Sequence, residues 1–186
     1  MEKQKLLTEY GYTYIGRDGT VEDRTEELLT EHGVSVFLNW IPAGRVTCIP
    51  EHLELLLLGR LLTEGLISST EDVCSLSISQ DGHRADIVLK GELMVGNQPL
   101  LRGNHTGNDA YIVSENMKAV TPIAWKQEWI FALADLFAAG TPLHEKTWAT
   151  HSCILAQEDR ILFTCEDISR HNALDKVIGY ALLHGI

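Results

Sequence analysis

The densest run of chemically capable groups in the chain is Glu166-Asp167-Ile168-Ser169-Arg170-His171-Asn172-Ala173-Leu174-Asp175-Lys176. Ile161-Leu162-Phe163, just ahead of it, reads as an apolar strand that Glu166 and Asp167 end with two carboxylates. Ser169 suits a helix N-cap, with Arg170, His171 and Asn172 in the first turn. At such a start the backbone N–H groups and the positive end of the helix dipole point outward, which favours an anion or a polar ligand edge. His171 and Asp175 are four residues apart, as are Asn172 and Lys176, so each pair shares a helix face. Solvated charges on a capped helix would account for any one of these residues. Their density at a strand-to-helix corner of an α/β chain favours a ligand site.

A second cluster is Thr147-Trp148-Ala149-Thr150-His151-Ser152-Cys153, just before a strand. Thr150 and His151 could orient a ligand, and Cys153 could be catalytic if its thiol pKa were lowered, His151 being the group to lower it. The competing reading is an inert core cysteine entering an apolar strand, which is the commoner case. His52-Leu53-Glu54 matches half of the zinc deaminase signature, but the P-C-x-x-C half is absent from the chain, so no zinc or other metal site is expected. A hydrolase pairing Glu166 or Asp167 with His171 as acid and base lacks an identifiable nucleophile or metal. No P-loop, dinucleotide fingerprint or nucleophile elbow is present.

These residues need elements to hold them. The first thirty residues, rich in charge with turns near Asp18-Gly19 and Asp23-Arg24, predict an irregular or hairpin-like lead-in. Residues 34–40 alternate as a strand, Pro42-Ala43-Gly44 turns the chain, and residues 46–49 return. Pro50 fits the first turn of a leucine-rich helix that is apolar enough to be buried and that Gly65 closes. Residues 74–79 and 85–90 predict a hairpin around Asp81-Gly82. Gly96-Asn97 and residues 102–109 are loop-like. Thr121-Pro122 opens a helix whose Trp125, Trp129, Leu133, Leu136 and Phe137 recur at core spacing, ended by Gly140 and Pro142. Strands at 152–157 and 161–165 flank a turn at Glu158-Asp159-Arg160. The last helix starts near Ser169 and is expected to bury Leu174, Val177, Ile178, Ala181 and Leu182.

The chain's 186 residues suffice for one domain or two small lobes sharing a core. A formal net charge of -11 weighs against a nucleic-acid partner, which needs a basic face. Cys48, Cys74, Cys153 and Cys165 form no C-x-x-C pair and read as reduced thiols. The polar start lacks the apolar core of a secretory signal, and the longest apolar stretch, residues 53–62, is interrupted and too short to span a bilayer. A cytoplasmic protein with no membrane association is the expectation.

Glu166 through Gly179 resembles the E-D-V-G-R-H-N-A-x-D-K-x-x-G signature of the FdhD/NarQ family. Ile49-Pro50 through Gly65-Leu66-Ile67 is similar to its T-P-x-x-x-x-E-L-A-L-G-F-L-x-x-E-G-I-I segment, and Thr147 to Ser152 to its T-G-G-x-H-A stretch, with His151 at the histidine. The three motifs come in the family's order over roughly residues 30–186. The resemblance implies an α/β (α+β), cytidine-deaminase-like mixed sheet with helices and without zinc. Residues 1–120 would form a β-rich N-terminal lobe with one buried helix, and residues 121–186 a partial deaminase-like lobe. It further implies a formate dehydrogenase accessory role: accepting sulfur from a cysteine desulfurase, passing it to the molybdenum bis-guanine-dinucleotide cofactor, binding that cofactor's guanine dinucleotide portion, and forming a homodimer. Carried onto this sequence, the cofactor-binding residues would be Thr150, His151, Glu166, Asp167, Arg170, His171, Asn172, Asp175 and Lys176. Two departures stand out. Where the family carries a C-x-x-C loop, residues 102–121 hold no cysteine, so a relay through that loop is not available here. The family also continues past the last helix, so an uncovered sheet edge is expected, to be met by self-association or a complementing chain. A degenerate nucleotide-binding module without sulfur transfer is therefore the alternative.

Overall fold

The structure is a computed structural model and describes residues 6–91 and 122–186. It has a mixed α/β architecture. Strands β1 (Leu7–Ile15) and β2 (Val21–Leu29) form an antiparallel hairpin, so the expected lead-in is regular sheet. Most of its side chains are exposed. Strands β3 (His32–Leu38), β4 (Ile41–Cys48), β5 (Val73–Ile78) and β6 (Arg84–Leu89) make a four-stranded sheet in the order β4-β3-β6-β5. It is mixed, because β3 runs parallel to β6 while the other pairs are antiparallel.

The β3–β4 turn falls at Asn39 (φ 46) and Trp40 (φ 68), not at Pro42-Ala43-Gly44 as expected. Two successive positive φ values suit a tight hairpin turn. Asn39 also earns its position by side-chain bonds to β6, accepting from Leu89 N–H (2.7 Å). Pro42 and Ala43 instead sit inside β4, where Val36 faces Gly44 and Phe37 faces Pro42, leaving Ala43 as the extra residue of a bulge. An edge strand tolerates proline, since one side needs no N–H donor. The Asp81-Gly82 turn lies where the hairpin signal predicts.

Helix α1 (Leu53–Thr63) packs its leucines on the four-stranded sheet, and Leu56, Leu57 and Leu61 join Val34, Val36, Leu38 and Ile87 in the main core. It starts after His52, which takes a left-handed conformation (φ 55), so Pro50 lies ahead of the helix rather than in its first turn. His52 is not poised as a metal ligand. Its ring lies edge-on to Phe163 (5.2 Å between centroids), and burial, helped by the Lys176 charge, holds its imidazole pKa below the ordinary value.

Helix α2 (Gln127–Ala138) departs most from expectation. Thr121 lies outside the described residues, and 122–126 are non-helical. No residue of α2 is buried; Phe131 is 60% exposed, and Trp125 before it 68%. Helical periodicity identified the helix, but an apolar stripe is core only where another element covers it. A short helix, α3 (Pro142–Thr147), follows, with Pro142 starting it rather than merely ending α2.

Strands β7 (His151–Gln157) and β8 (Arg160–Asp167) form an antiparallel hairpin covered by α4 (Arg170–His184). On α4, Val177 is buried as expected but Leu174 is 49% exposed, because Asn172, Asp175 and Lys176 occupy the inner face. The α1–α4 crossing explains why. Gly59 and Gly179 meet backbone to backbone: a Cβ at Gly59 would lie 1.8 Å from the Asp175 carbonyl oxygen, and one at Gly179 1.9 Å from that of Leu55. So close an approach carries α4's polar side chains past α1 into the interior.

Candidate functional site

Asp167 ends β8 fully buried, and every polar contact it makes braces the fold. Its carboxylate accepts from Ile49 N–H (3.2 Å), Asn172 Nδ2 (2.8 Å) and Ser169 N–H (3.3 Å), and pairs with Lys176 Nζ at 2.7 Å. Lys176 Nζ also donates to the Glu166 carbonyl (3.1 Å). Asn172 Nδ2 reaches the Thr47 carbonyl (2.8 Å), while its oxygen accepts from Arg60 Nη2 (3.1 Å). Arg60 in turn pairs with Asp175 at 2.8 Å, and Thr63 donates to the same carboxylate (3.0 Å). Burial pushes the Asp175 carboxyl above its ordinary value, against the pull of the Arg60 charge and the Thr63 hydroxyl. Asp167, Asn172, Asp175 and Lys176 are at most 4% exposed. They offer no surface to a ligand in this conformation. Their chemistry is spent tying the end of β4, α1 and β8 to α4.

Glu166 points elsewhere. Its carboxylate accepts from the backbone N–H groups of Leu143 (3.0 Å) and His144 (2.7 Å) and from the hydroxyls of Thr141 (2.6 Å) and Thr150 (3.0 Å). It thereby satisfies the first-turn donors of α3 in place of a side-chain cap. Partial burial works to raise its carboxyl pKa, but these four donors outweigh that and hold it below the ordinary value. Thr150, nearly fully buried, serves the same junction, its carbonyl accepting from His144 Nδ1 (2.8 Å).

Three of the expected residues do converge. His151, Arg170 and His171 line one open concavity of about 340 Å³ with Ser169, Ile168, Thr47 and Glu31. Ser169 is the N-cap of α4 yet makes no side-chain cap bond, and no acidic residue occupies the first turn. The helix start therefore keeps donor capacity and positive potential beside the Arg170 guanidinium, a combination suited to an anionic group. Glu31 and Thr47 come from the other end of the sequence. Only the three-dimensional fold, through the Thr47–Asn172 bond, brings β4 to this corner.

Cys153 lies two residues along β7 from His151, half-buried, and borders a second depression with Ile130, Leu133 and Phe137 of α2. Burial raises its thiol pKa, and it pushes those of Cys48 and Cys165 up to about 12. Cys74 is exposed on β5, in the other sheet. Among the described residues no three metal-ligating side chains converge, and no helix is long and apolar enough to cross a membrane.

The model of the FdhD/NarQ family matches residues 29–186. The chain belongs to that family. Its relatives there include the sulfur carrier protein FdhD of Listeria innocua serovar 6a, 29% identical over an alignment of 179 positions that covers 90% of this chain and 68% of the relative. The protein of the same name from Bacillus pumilus is 26% identical over an alignment of 194 positions, covering all of this chain and 72% of the relative. A crystal structure described as a formate dehydrogenase accessory protein from Desulfotalea psychrophila superposes with a TM-score of 0.76 at 22% identity, covering 98% of this chain and 70% of that one. That likeness bears on the fold. It accounts for the mixed α/β architecture, and the family match accounts for the three sequence motifs. The residues that carry the last motif divide cleanly in space, His171 and Arg170 outward and Asp167, Asn172, Asp175 and Lys176 inward.

Proposed function

We propose that this chain acts as a formate dehydrogenase accessory protein that binds the guanine dinucleotide portion of the molybdenum bis-guanine-dinucleotide cofactor as its cargo. The observation that carries this reading is the convergence of His151, Arg170 and His171 on the concavity at the start of α4. The donor set fits the cargo's phosphates. A guanidinium and free helix-start N–H groups bind phosphate oxygens, and two imidazoles can donate at the rim. Glu31, the carboxylate across the concavity, is an acceptor matched to the N–H donors of a guanine edge. In this reading a cysteine desulfurase supplies sulfur, formate dehydrogenase receives the sulfurated cofactor, and the working unit is a homodimer. Cys153 would be the thiol that handles sulfur; in support, it follows His151 by two residues on the same face of β7, about 7 Å along the strand.

A second reading is supported by two observations: burial raises the Cys153 thiol pKa, and the chain has no C-x-x-C pair. On this reading the protein holds the nucleotide and does not transfer sulfur. Titration with guanosine diphosphate tests the site. Arg170→Ala and His171→Ala are each expected to weaken binding about tenfold, as loss of a charge-assisted hydrogen bond does; unchanged affinity in both would refute the site. Incubation with a cysteine desulfurase and cysteine, read by intact mass, separates the two functions: a persulfide on Cys153, or a loss of two hydrogens that maps to Cys153, supports transfer, and an unchanged mass supports the binding module.

A further inference from the structure

Cys153 and Cys165 stand directly opposite each other in the β7–β8 ladder. Alternation puts both on the face covered by α4, where they share a cluster with Ala173, Val177, Leu155 and Phe163. Directly paired residues of an antiparallel sheet have Cα atoms about 4.5–5.5 Å apart, inside the roughly 4.4–6.8 Å that a disulfide spans. The two thiols differ in access. Cys165 is 5% exposed and donates to the Ala173 carbonyl (3.2 Å), whereas Cys153 is half-buried beside the depression under α2. We propose that Cys153 and Cys165 are a redox-active dithiol, with Cys153 the entry thiol and Cys165 the resolving thiol of an intramolecular cross-strand disulfide.

The oxidant is a low-molecular-weight disulfide, RSSR. Cys153 loses its proton to water, and its thiolate attacks one sulfur of RSSR, forming a Cys153–SR mixed disulfide and expelling RS⁻. Cys165 then loses its proton and attacks Cys153 Sγ, forming the Sγ–Sγ bond and expelling the second RS⁻. The expelled thiolates take up the two protons. Two protein thiols are oxidised and one disulfide is reduced to two thiols. If the group on Cys153 is instead a persulfide sulfur, the second step expels hydrosulfide, so the same pair would discharge a sulfane sulfur as sulfide. The proposal stands on strand register and on the burial of each thiol, and it needs no bound nucleotide.

Burial raises both thiol pKa values, so closure is slow at neutral pH and accelerates as pH rises toward them. Around Cys165, Lys176 lowers its pKa while Cys153, Asp167 and Glu166 raise it.

The test uses the full chain. Incubate it with oxidised glutathione, denature it, block remaining thiols with N-ethylmaleimide, and read intact mass and peptide maps. The expected product carries two blocked cysteines, has lost two hydrogens, and maps to a Cys153–Cys165 link. In Cys165→Ser the expected product is a stable glutathione adduct on Cys153, and in Cys153→Ser neither product forms. Four blocked cysteines in the wild-type chain, or a link that maps to Cys48 or Cys74, would overturn the proposal; because the wild-type map decides it, misfolding of a variant leaves the test intact.

Discussion

Lys176 and Asp167 show how a residue that looks like a ligand contact becomes a brace. Both side chains are fully buried, and the ammonium faces the carboxylate at 2.7 Å. A charge with no water around it needs a counter-charge and hydrogen bonds, and this pair has both. Lys176→Met keeps the side chain's length but leaves the Asp167 charge without its partner. The expected loss is about 3–5 kcal/mol of unfolding free energy in urea denaturation. A loss below about 1 kcal/mol, the scale of a surface pair, would mean that water reaches the site. Glu166 gives a prediction of a different kind. Its folded carboxyl pKa is held below the 4.5 of an ordinary glutamate, so its contribution to stability is present above that value and is lost as pH falls through the folded one. Glu166→Gln cannot titrate there. It should be clearly less stable than the wild type at about pH 6, with the gap narrowing as pH falls below the ordinary glutamate value and the wild-type carboxylate protonates. A gap that stays constant through the whole acid titration would show that the carboxyl's charge is not what holds α3.

At the scale of elements, the α1–α4 crossing rests on two glycines. Gly59→Ala or Gly179→Ala would gain roughly 1 kcal/mol of helix propensity in a free helix. Here the added Cβ would fall within 2 Å of a carbonyl oxygen of the partner helix, which has no room to yield. Each variant should therefore be destabilised by about 3 kcal/mol, the upper end for overpacking. The double variant should cost less than the sum, because one separation of the helices relieves both clashes. Thermal unfolding of the three variants reads this directly, and a stabilised single variant would contradict the close crossing. The same crossing decides what could be read in advance. The start of α4 after Ser169 and the Asp81-Gly82 turn rest on local patterns, and the structure has them where those patterns put them, although Ser169 makes no side-chain cap bond. The inward face of α4 was hidden because its stripe, Asn172, Asp175, Lys176 and Gly179, is polar where a buried stripe is usually apolar. The signal was present on the other helix: Arg60 sits inside a leucine-rich segment, beside Gly59, and a charge in that position requires a buried partner. Helix α2 departs in the opposite direction, with a core-like stripe of which no residue is buried.

For the whole molecule, α4 is the element that joins the parts. One side packs on α1, which rests on the four-stranded sheet, and another covers the β7–β8 hairpin. A two-stranded hairpin has little stability of its own, so β7 and β8 depend on α4 remaining docked. The docking in turn depends on contacts from Thr47, Ile49 and Arg60, all distant in sequence. Such long-range pairings cannot be read from local periodicity, which is why the concavity's Glu31 and Thr47 appear only once the chain is folded. The arrangement predicts shared cooperativity between regions far apart in sequence. Under native-state hydrogen exchange, the best-protected amides of β6 (Arg84–Leu89) and of β8 (Arg160–Asp167) should open with the same free energy, close to that of global unfolding. Gly179→Ala should lower both by equal amounts. If β8 loses protection in that variant while β6 keeps it, the hairpin and α4 form a separate unit. The proposed anion site at the start of α4 would then open without the main core, and nucleotide would be expected to restore protection to β8 alone.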